Sequence, residues 1–132
     1  MRRALLLLIF FVPLVSFAQT TQDKVRAYRR ANEHKILCEF VSLLAIPNVA
    51  ADTPNIRKNA ELIVDMMKQR GLNPRLLEGQ TPNVPPLVYG EWKTPGASRT
   101  LILYAHYDGQ PTDPKQWNGT LPWQPVFRSA AF

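Results

Sequence analysis

The first half of the chain has the spacing of helices, and the second half has the shorter runs of strands. Between Thr20 and Leu44 apolar side chains recur every three or four residues, which predicts a helix that stops before Pro47. A second helix is expected to begin at a cap formed by Thr53 or Asn55 and to end at Gly71. The apolar positions of this second helix are Ile56, Ala60, Ile63, Val64 and Met67.

Three apolar runs in the second half predict strands, at residues 75–78, 87–92 and 100–105. The run Leu101–Ala105 is the most apolar of them, and such a run is typical of a strand buried on both faces. The order helix, helix, strand, strand, strand predicts an α/β fold.

A long loop is expected after the third strand, because residues 109–125 contain four prolines and show no periodicity. Trp117 and Trp123 lie in this loop and at its end. They could form the rim of a binding site, or they could pin the loop to the sheet. Pinning is the favoured interpretation, since a long proline-rich loop needs apolar anchors.

The first eighteen residues have the pattern of a signal peptide. Arg2 and Arg3 precede an apolar stretch, and Ser16-Phe17-Ala18 is a small-x-small cleavage site. A stable membrane anchor is not expected, because the apolar run is shorter than the ~20 residues needed to span a bilayer. The sequence therefore predicts removal of residues 1–18 and export of the rest, to the periplasm or outside the cell.

The charge of the chain does not indicate a nucleic-acid partner. The net charge of the 132 residues is +6, and loss of Arg2 and Arg3 with the leader leaves 14 Lys and Arg against 10 Asp and Glu, or +4. The remaining basic residues are scattered, apart from a short cluster at Arg26, Arg29 and Arg30 that suits a solvated helix face. The length allows at most one ordinary domain.

The candidate chemistry lies in His106-Tyr107-Asp108, directly after the third apolar run. Residues two apart in a strand point to the same face, so His106 and Asp108 can lie side by side while Tyr107 packs on the other face. A carboxylate that holds one ring nitrogen leaves the other free as a metal ligand. The alternative is a buried His–Asp pair that only satisfies itself.

The segment Leu101–Pro111 resembles the first metal-binding motif of the two-zinc peptidases that include carnosine dipeptidase, glutamate carboxypeptidase and aminoacylase. That motif is an apolar strand followed by His-x-Asp, and His-x-Asp-x-Gln-Pro is most similar to the dipeptidase branch. Residues 56–72 resemble the second helix of the family. Trp117 with residues 122–127 resembles the stretch after the first ligand. The resemblance covers about residues 23–132.

The resemblance implies that His106 binds one zinc ion of a pair and that Asp108 orients it. It also implies a catalytic domain with a mostly parallel sheet flanked by helices, and a smaller dimerisation domain that makes the complete protein a homodimer. The family's bridging carboxylate, glutamate base and remaining ligands would lie beyond residue 132. Residues 19–132 are therefore expected to be the amino-terminal part of such a domain.

The function expected from the resemblance is zinc-dependent hydrolysis of dipeptides or short peptides by an exported enzyme, with this fragment inactive alone. One histidine cannot hold two ions, and the acids Glu61, Asp65 and Glu78 are expected on solvated faces rather than as substitute ligands. Two alternatives stay open. One is an N-acyl amino acid deacylase using the same metals. The other is a non-catalytic exported domain in which His106 and Asp108 form a structural pair.

Overall fold

The computed structural model describes residues 20–128, so the predicted leader at 1–18 lies outside the described residues. The chain divides into two compact units, one ending at Glu33 and the other beginning at His34. Helix α1, Thr21–Leu44, begins in the first unit and ends in the second. The candidate site lies within the second unit.

Helix α1 has the predicted bounds to within one residue. The Thr20 hydroxyl accepts a hydrogen bond from the Asp23 amide at 3.1 Å and donates to its carboxylate at 2.6 Å, which satisfies the first turn. None of its residues is buried. Neither helix of the described residues is long and apolar enough to cross a membrane.

Helix α2, Thr53–Gln69, is also confirmed, but its cap is Asp52 rather than Thr53 or Asn55. The Asp52 carboxylate accepts hydrogen bonds from the main-chain amide of Asn55 at 3.4 Å and from its side-chain amide at 2.8 Å. A carboxylate here also complements the positive end of the helix dipole. Gly71 follows the helix with a φ of +75°, the left-handed conformation predicted for it.

Two of the three predicted strands form, and they pair with each other. Strand β1 is Arg75–Leu77 and strand β2 is Leu87–Tyr89, paired antiparallel with Leu76 opposite Val88. The mixed α/β content is confirmed, but a mostly parallel sheet is not found in residues 20–128. Strands joined by the short connection at 78–86 can pair directly only in the antiparallel sense, because a parallel pair needs a crossover of about a dozen residues or more.

The core lies between α2 and this strand pair. The side chains of Ile56, Asn59 and Ala60 are all at most 1% exposed, and they lie on the α2 face that the apolar spacing predicts. Asn59 is the polar member of this face. Its amide nitrogen donates to the Pro47 carbonyl at 2.7 Å and to the Asn55 carbonyl at 3.0 Å, which makes its burial tolerable.

The prediction of a buried strand at Leu101–Ala105 is wrong for the structure described. These residues form no strand, and the side chains from Leu101 to Tyr104 are 82–87% exposed. The sheet of the described residues consists of β1 and β2 alone, so the run has no paired strand to accept its backbone hydrogen bonds. An apolar run favours burial, but burial also requires neighbouring elements on its faces.

Candidate metal-binding site

The peptide that carries the candidate site is attached to the loop between the two helices. The Gly109 amide donates to the Asn48 carbonyl at 2.9 Å, and Val49 and Gly109 form an isolated parallel bridge. The Asn48 side-chain amide donates to the Tyr107 carbonyl at 3.3 Å. The residues directly after the exposed apolar run are thus held by main-chain and side-chain bonds from one loop.

His106 and Asp108 lie together, as the two-residue spacing predicts. The His106 Nδ1 atom is 3.3 Å from the Asp108 carboxylate and 2.9 Å from the Asp108 main-chain carbonyl. Two acceptors at Nδ1 favour the tautomer with its proton on that nitrogen. The Nε2 atom then carries a free lone pair, and it has no hydrogen-bond partner within residues 20–128.

The pair is exposed rather than buried, which corrects the expectation that it sits at the end of a buried strand. The side chain of His106 is 74% exposed and that of Asp108 is 49% exposed. The exposure has the same cause as that of the apolar run before it, since both follow from the lack of a covering element in the described part. An exposed ion pair of this kind adds little to stability in the part of the chain that the structure describes.

Tyr107 is directed into the protein between these two exposed residues. Its hydroxyl donates to the Pro86 carbonyl at 2.5 Å. Burial raises the pKa of Tyr107 above its usual 10.0, and the negative charge of Asp108 adds to this shift. The predicted packing of Tyr107 is therefore found, and its hydroxyl ties the site peptide to the residue just before β2.

A cavity of about 540 Å³ lies beside the pair. His106 and Asp108 line one side of it together with Asn48 and Asn59. The rest of the lining is mainly apolar and comes from the end of α1, the inner face of α2, strand β2, the exposed apolar run and Tyr107 itself: Leu43, Leu44, Ile63, Met67, Leu87, Val88, Leu103, Ala105 and Tyr107. This size and mixture are typical of a small-molecule pocket, in which a few polar groups orient a ligand held by apolar walls.

The donor set fits one end of a zinc site. Neutral imidazole nitrogen is a preferred zinc ligand, and a carboxylate on the other ring nitrogen is its usual support. Within residues 20–128 no three histidine, cysteine, aspartate or glutamate side chains lie close enough to hold an ion together. A catalytic zinc site usually has about three protein ligands, which is more than this part of the chain brings together.

The acids Glu61, Asp65 and Glu78 are on the surface, as the sequence predicts. Glu78 pairs with Arg57 at 2.7 Å, Glu61 lies 3.9 Å from the same guanidinium, and Asp65 pairs with Lys68 at 3.3 Å. All of these side chains are more than 40% exposed. The Glu78 hydrogen bond and charge raise the pKa of Arg57. None of these acids lines the cavity beside His106.

The loop after the site is irregular, as predicted, except for a short 3₁₀ turn at Pro114–Gln116. Trp117 is 45% exposed, and Trp123 has a φ of +63°, a conformation that is unfavourable for a bulky side chain. Neither tryptophan lines the cavity. Their assignment to a substrate rim stays a prediction.

Asn48 and Asn59 are the residues near the site that the sequence interpretation missed. Asn59 carried a usable signal, because it lies in register with the apolar positions of α2 between Ile56 and Ile63. A polar residue on a buried face usually has a specific partner. Asn48 carried no such signal, since asparagine is ordinary in a loop.

The chain is similar to two curated metallodipeptidases. It is 28% identical over 99 residues to the Cys-Gly metallodipeptidase of Schizosaccharomyces pombe, a match that covers 64% of this chain and 21% of that protein. It is 30% identical over 90 residues to the Cys-Gly metallodipeptidase of Candida albicans, covering 58% of this chain and 19% of that protein.

No family model matches the chain, and no solved structure matches it. The chain spans about a fifth of the length of the curated relatives that it matches. The similarity supports a relationship to metallopeptidases, in agreement with the resemblance of the His106-Tyr107-Asp108 segment, and the relatives' names imply a metal cofactor for those proteins.

Proposed function

We propose that this chain contributes the first metal ligand of an exported, zinc-dependent hydrolase that cleaves the amide bond of dipeptides or short peptides. The observation that carries the proposal is the arrangement of His106, whose Nδ1 faces Asp108 at 3.3 Å while Nε2 is unpartnered among the described residues. The similarity to Cys-Gly metallodipeptidases supports the class of substrate.

In this proposal the residues of the chain have distinct tasks. His106 offers Nε2 to the metal, and Asp108 keeps the proton on Nδ1 so that Nε2 stays a ligand. Zinc, when bound, polarises a substrate carbonyl and makes water a stronger nucleophile. The apolar walls of the adjacent cavity contact the substrate side chain and exclude bulk water.

Further features of the proposal come from the sequence. The leader pattern at 1–18 supports export, and the resemblance to two-zinc peptidases supports a second ion and a homodimer. Among residues 20–128 no three potential ligand side chains lie close enough to hold an ion together. The 132-residue chain is therefore expected to bind zinc weakly and not to hydrolyse peptides by itself.

Calorimetric titration with ZnCl₂ tests the ligand role directly. We expect weak binding by the chain, loss of that binding in His106→Ala, and no change in the control His34→Ala, which removes the other histidine. Binding that is equally strong in His106→Ala would contradict the proposal.

The same proteins can be assayed with zinc on Cys-Gly and on N-acetyl amino acids, which separates a dipeptidase from a deacylase. Zinc-dependent cleavage of Cys-Gly that is lost in His106→Ala would establish the activity, and would refute the expectation that this chain is inactive alone. Cleavage confined to N-acetyl amino acids would replace the dipeptidase assignment by the deacylase.

A further inference from the structure

We propose that Asn48 is a positioning residue for the candidate site, which fixes the backbone of Asp108 and through it the imidazole of His106. The importance of this role for metal binding rests on the proposed function, but the hydrogen bonds of Asn48 do not depend on it. Asn48 is on the loop between the helices and is distant in sequence from the residues that it holds.

The two peptide units that flank Asp108 are both bonded to Asn48. The carbonyl of the first unit, that of Tyr107, accepts from the Asn48 side-chain amide at 3.3 Å. The amide of the second unit, that of Gly109, donates to the Asn48 main-chain carbonyl at 2.9 Å. Because both units are held, the backbone rotation of Asp108 is restricted on either side of its Cα atom.

This restriction acts on the groups that face the imidazole. The main-chain carbonyl and the carboxylate of Asp108 lie 2.9 and 3.3 Å from His106 Nδ1. The His106 and Asp108 side chains are exposed and have few packing contacts to hold them. Their relative position therefore depends on the backbone, which Asn48 fixes.

Glycine is required at position 109 because the Asn48 side chain leaves no room for a Cβ atom, and not because of the backbone conformation. A Cβ atom at Gly109 would lie 2.5 Å from Asn48 Oδ1 and 3.1 Å from both Cγ and Nδ2. Its φ is not in the left-handed region, so a larger residue would meet a steric conflict with the Asn48 amide and not backbone strain. The close approach allows the two residues to form their main-chain bond.

Asn48 is itself anchored to the core. The carbonyl of the preceding residue, Pro47, accepts from the buried Asn59 amide at 2.7 Å. The Asn48 Oδ1 atom is buried and has no hydrogen-bond partner among residues 20–128. A buried oxygen without a hydrogen-bond partner costs free energy. Asn48 bears this cost while its Nδ2 atom donates to the Tyr107 carbonyl. A continuous path of bonds thus runs from α2 to the site.

Amide hydrogen exchange in the 132-residue chain, read by NMR, tests the positioning role without any metal. In Asn48→Ala we expect the protection of the Gly109 amide to fall at least tenfold while that of Ala60 in α2 is kept. The matched control is Asn73→Ala, at an exposed residue after α2, which is expected to change neither amide. Unchanged protection of Gly109 in Asn48→Ala would overturn the inference.

A second pair of variants removes the dependence on one substitution. Gly109→Ala alone is expected to lower protection at Tyr107–Gly109 about as much as Asn48→Ala, since its Cβ displaces the Asn48 amide. In the double variant Asn48→Ala/Gly109→Ala, amide protection is expected to be no lower than in Asn48→Ala alone, because the Gly109→Ala Cβ then meets no Asn48 side chain. If the fold-losses of protection in the two single variants multiply in the double variant, the two residues act independently and the proposed contact between them is contradicted. If Asn48→Ala also loses Ala60 protection, the same comparison is made with Asn48→Asp, which keeps the volume and removes the donor.

Zinc affinity connects the positioning role to the site. A residue that orients a metal ligand typically changes affinity by about 10–100-fold, so the zinc dissociation constant of Asn48→Ala should rise about tenfold. An affinity equal to that of the unaltered chain would overturn the positioning role. Zinc binding that does not require His106 would instead refute the proposed function, while the exchange of Gly109 still decides whether Asn48 holds the peptide.

Discussion

Helix α2 and the segment Leu101–Ala105 both carry several apolar residues, yet only the helix buries them on one face. Ile56 and Ala60 of α2 are at most 1% exposed, while Leu101 to Tyr104 are 82–87% exposed. The helix forms its backbone hydrogen bonds internally and needs cover on one face only. A strand buried on both faces needs neighbours in the sheet and layers above and below it.

The comparison shows that hydrophobicity alone does not decide burial. Strands β1 and β2 cover α2, and the loop 45–52 completes that contact through the Asn59–Pro47 bond. Among residues 20–128 no element covers the side chains of Leu101–Ala105 in this way. The candidate site, at the end of that segment, shares its exposure.

The largest difference in the free energy of unfolding is expected between two matched alanine substitutions, one in each region. Ile56→Ala should lower the free energy of unfolding by about 2–4 kcal/mol, because it leaves a cavity in the core. Leu103→Ala should change it by less than about 0.5 kcal/mol, since Leu103 is 87% exposed. Urea unfolding followed by circular dichroism measures both. Equal losses would mean that the apolar segment contributes to the core.

A smaller contrast is expected between two asparagines that make the same type of helical bond. Asn59 in α2 and Asn32 in α1 each donate to the carbonyl four residues earlier, at 3.0 and 2.9 Å. Asn59→Ala should cost about 1–3 kcal/mol, because it also leaves the Pro47 carbonyl without its donor. Asn32→Ala should be within about 0.5 kcal/mol, since that side chain is on the partly exposed helix α1. The same urea titrations decide, and a loss in Asn32→Ala as large as in Asn59→Ala would refute the role of burial.

The smallest effect concerns Tyr107, which joins the site to the residue before β2. Tyr107→Phe removes the bond to Pro86 and should cost about 0.5–1.5 kcal/mol at neutral pH. The raised pKa means that the folded state holds the Tyr107 proton more tightly than the unfolded state. The contribution of Tyr107 to the free energy of unfolding should therefore be fully present below pH 10. It should fall as the pH rises through the folded-state pKa.

Tyr107→Phe should reduce this loss above pH 10, measured as the slope of the unfolding free energy against pH. The control Tyr104→Phe alters a ring that is 82% exposed and should leave the neutral-pH stability within about 0.5 kcal/mol. A slope in Tyr107→Phe identical to that of the unaltered chain would rule out Tyr107 as its origin.

Much of the local structure could be predicted because its causes are local. The buried face of α2 follows from the spacing of its apolar residues, and the left-handed Gly71 after it follows from residue type. The cap at Asp52 was missed by one residue, since Asp, Thr and Asn at 52, 53 and 55 are all good capping residues.

The properties that depend on other parts of the molecule could not be predicted in the same way. The exposure of Leu101–Ala105 depends on which elements lie beside it, and the antiparallel sense of β1 and β2 depends on how the connection 78–86 folds. At the candidate site the predicted contact between His106 and Asp108 is found, although the strand on which the prediction rested does not form. The bonds from Asn48 could not be foreseen, because the nearer of its two partners, Tyr107, is 59 positions away in the sequence.

The central claim is that His106 presents Nε2 to a metal while Asp108 holds the proton on Nδ1. A ¹⁵N-¹H correlation spectrum of the imidazole groups, recorded during titration with zinc, tests it most directly. We predict that the His106 Nε2 resonance shifts with zinc while Nδ1 stays protonated, and that His34 does not change. An unshifted His106 at millimolar zinc, or a shift confined to His34, would contradict the account.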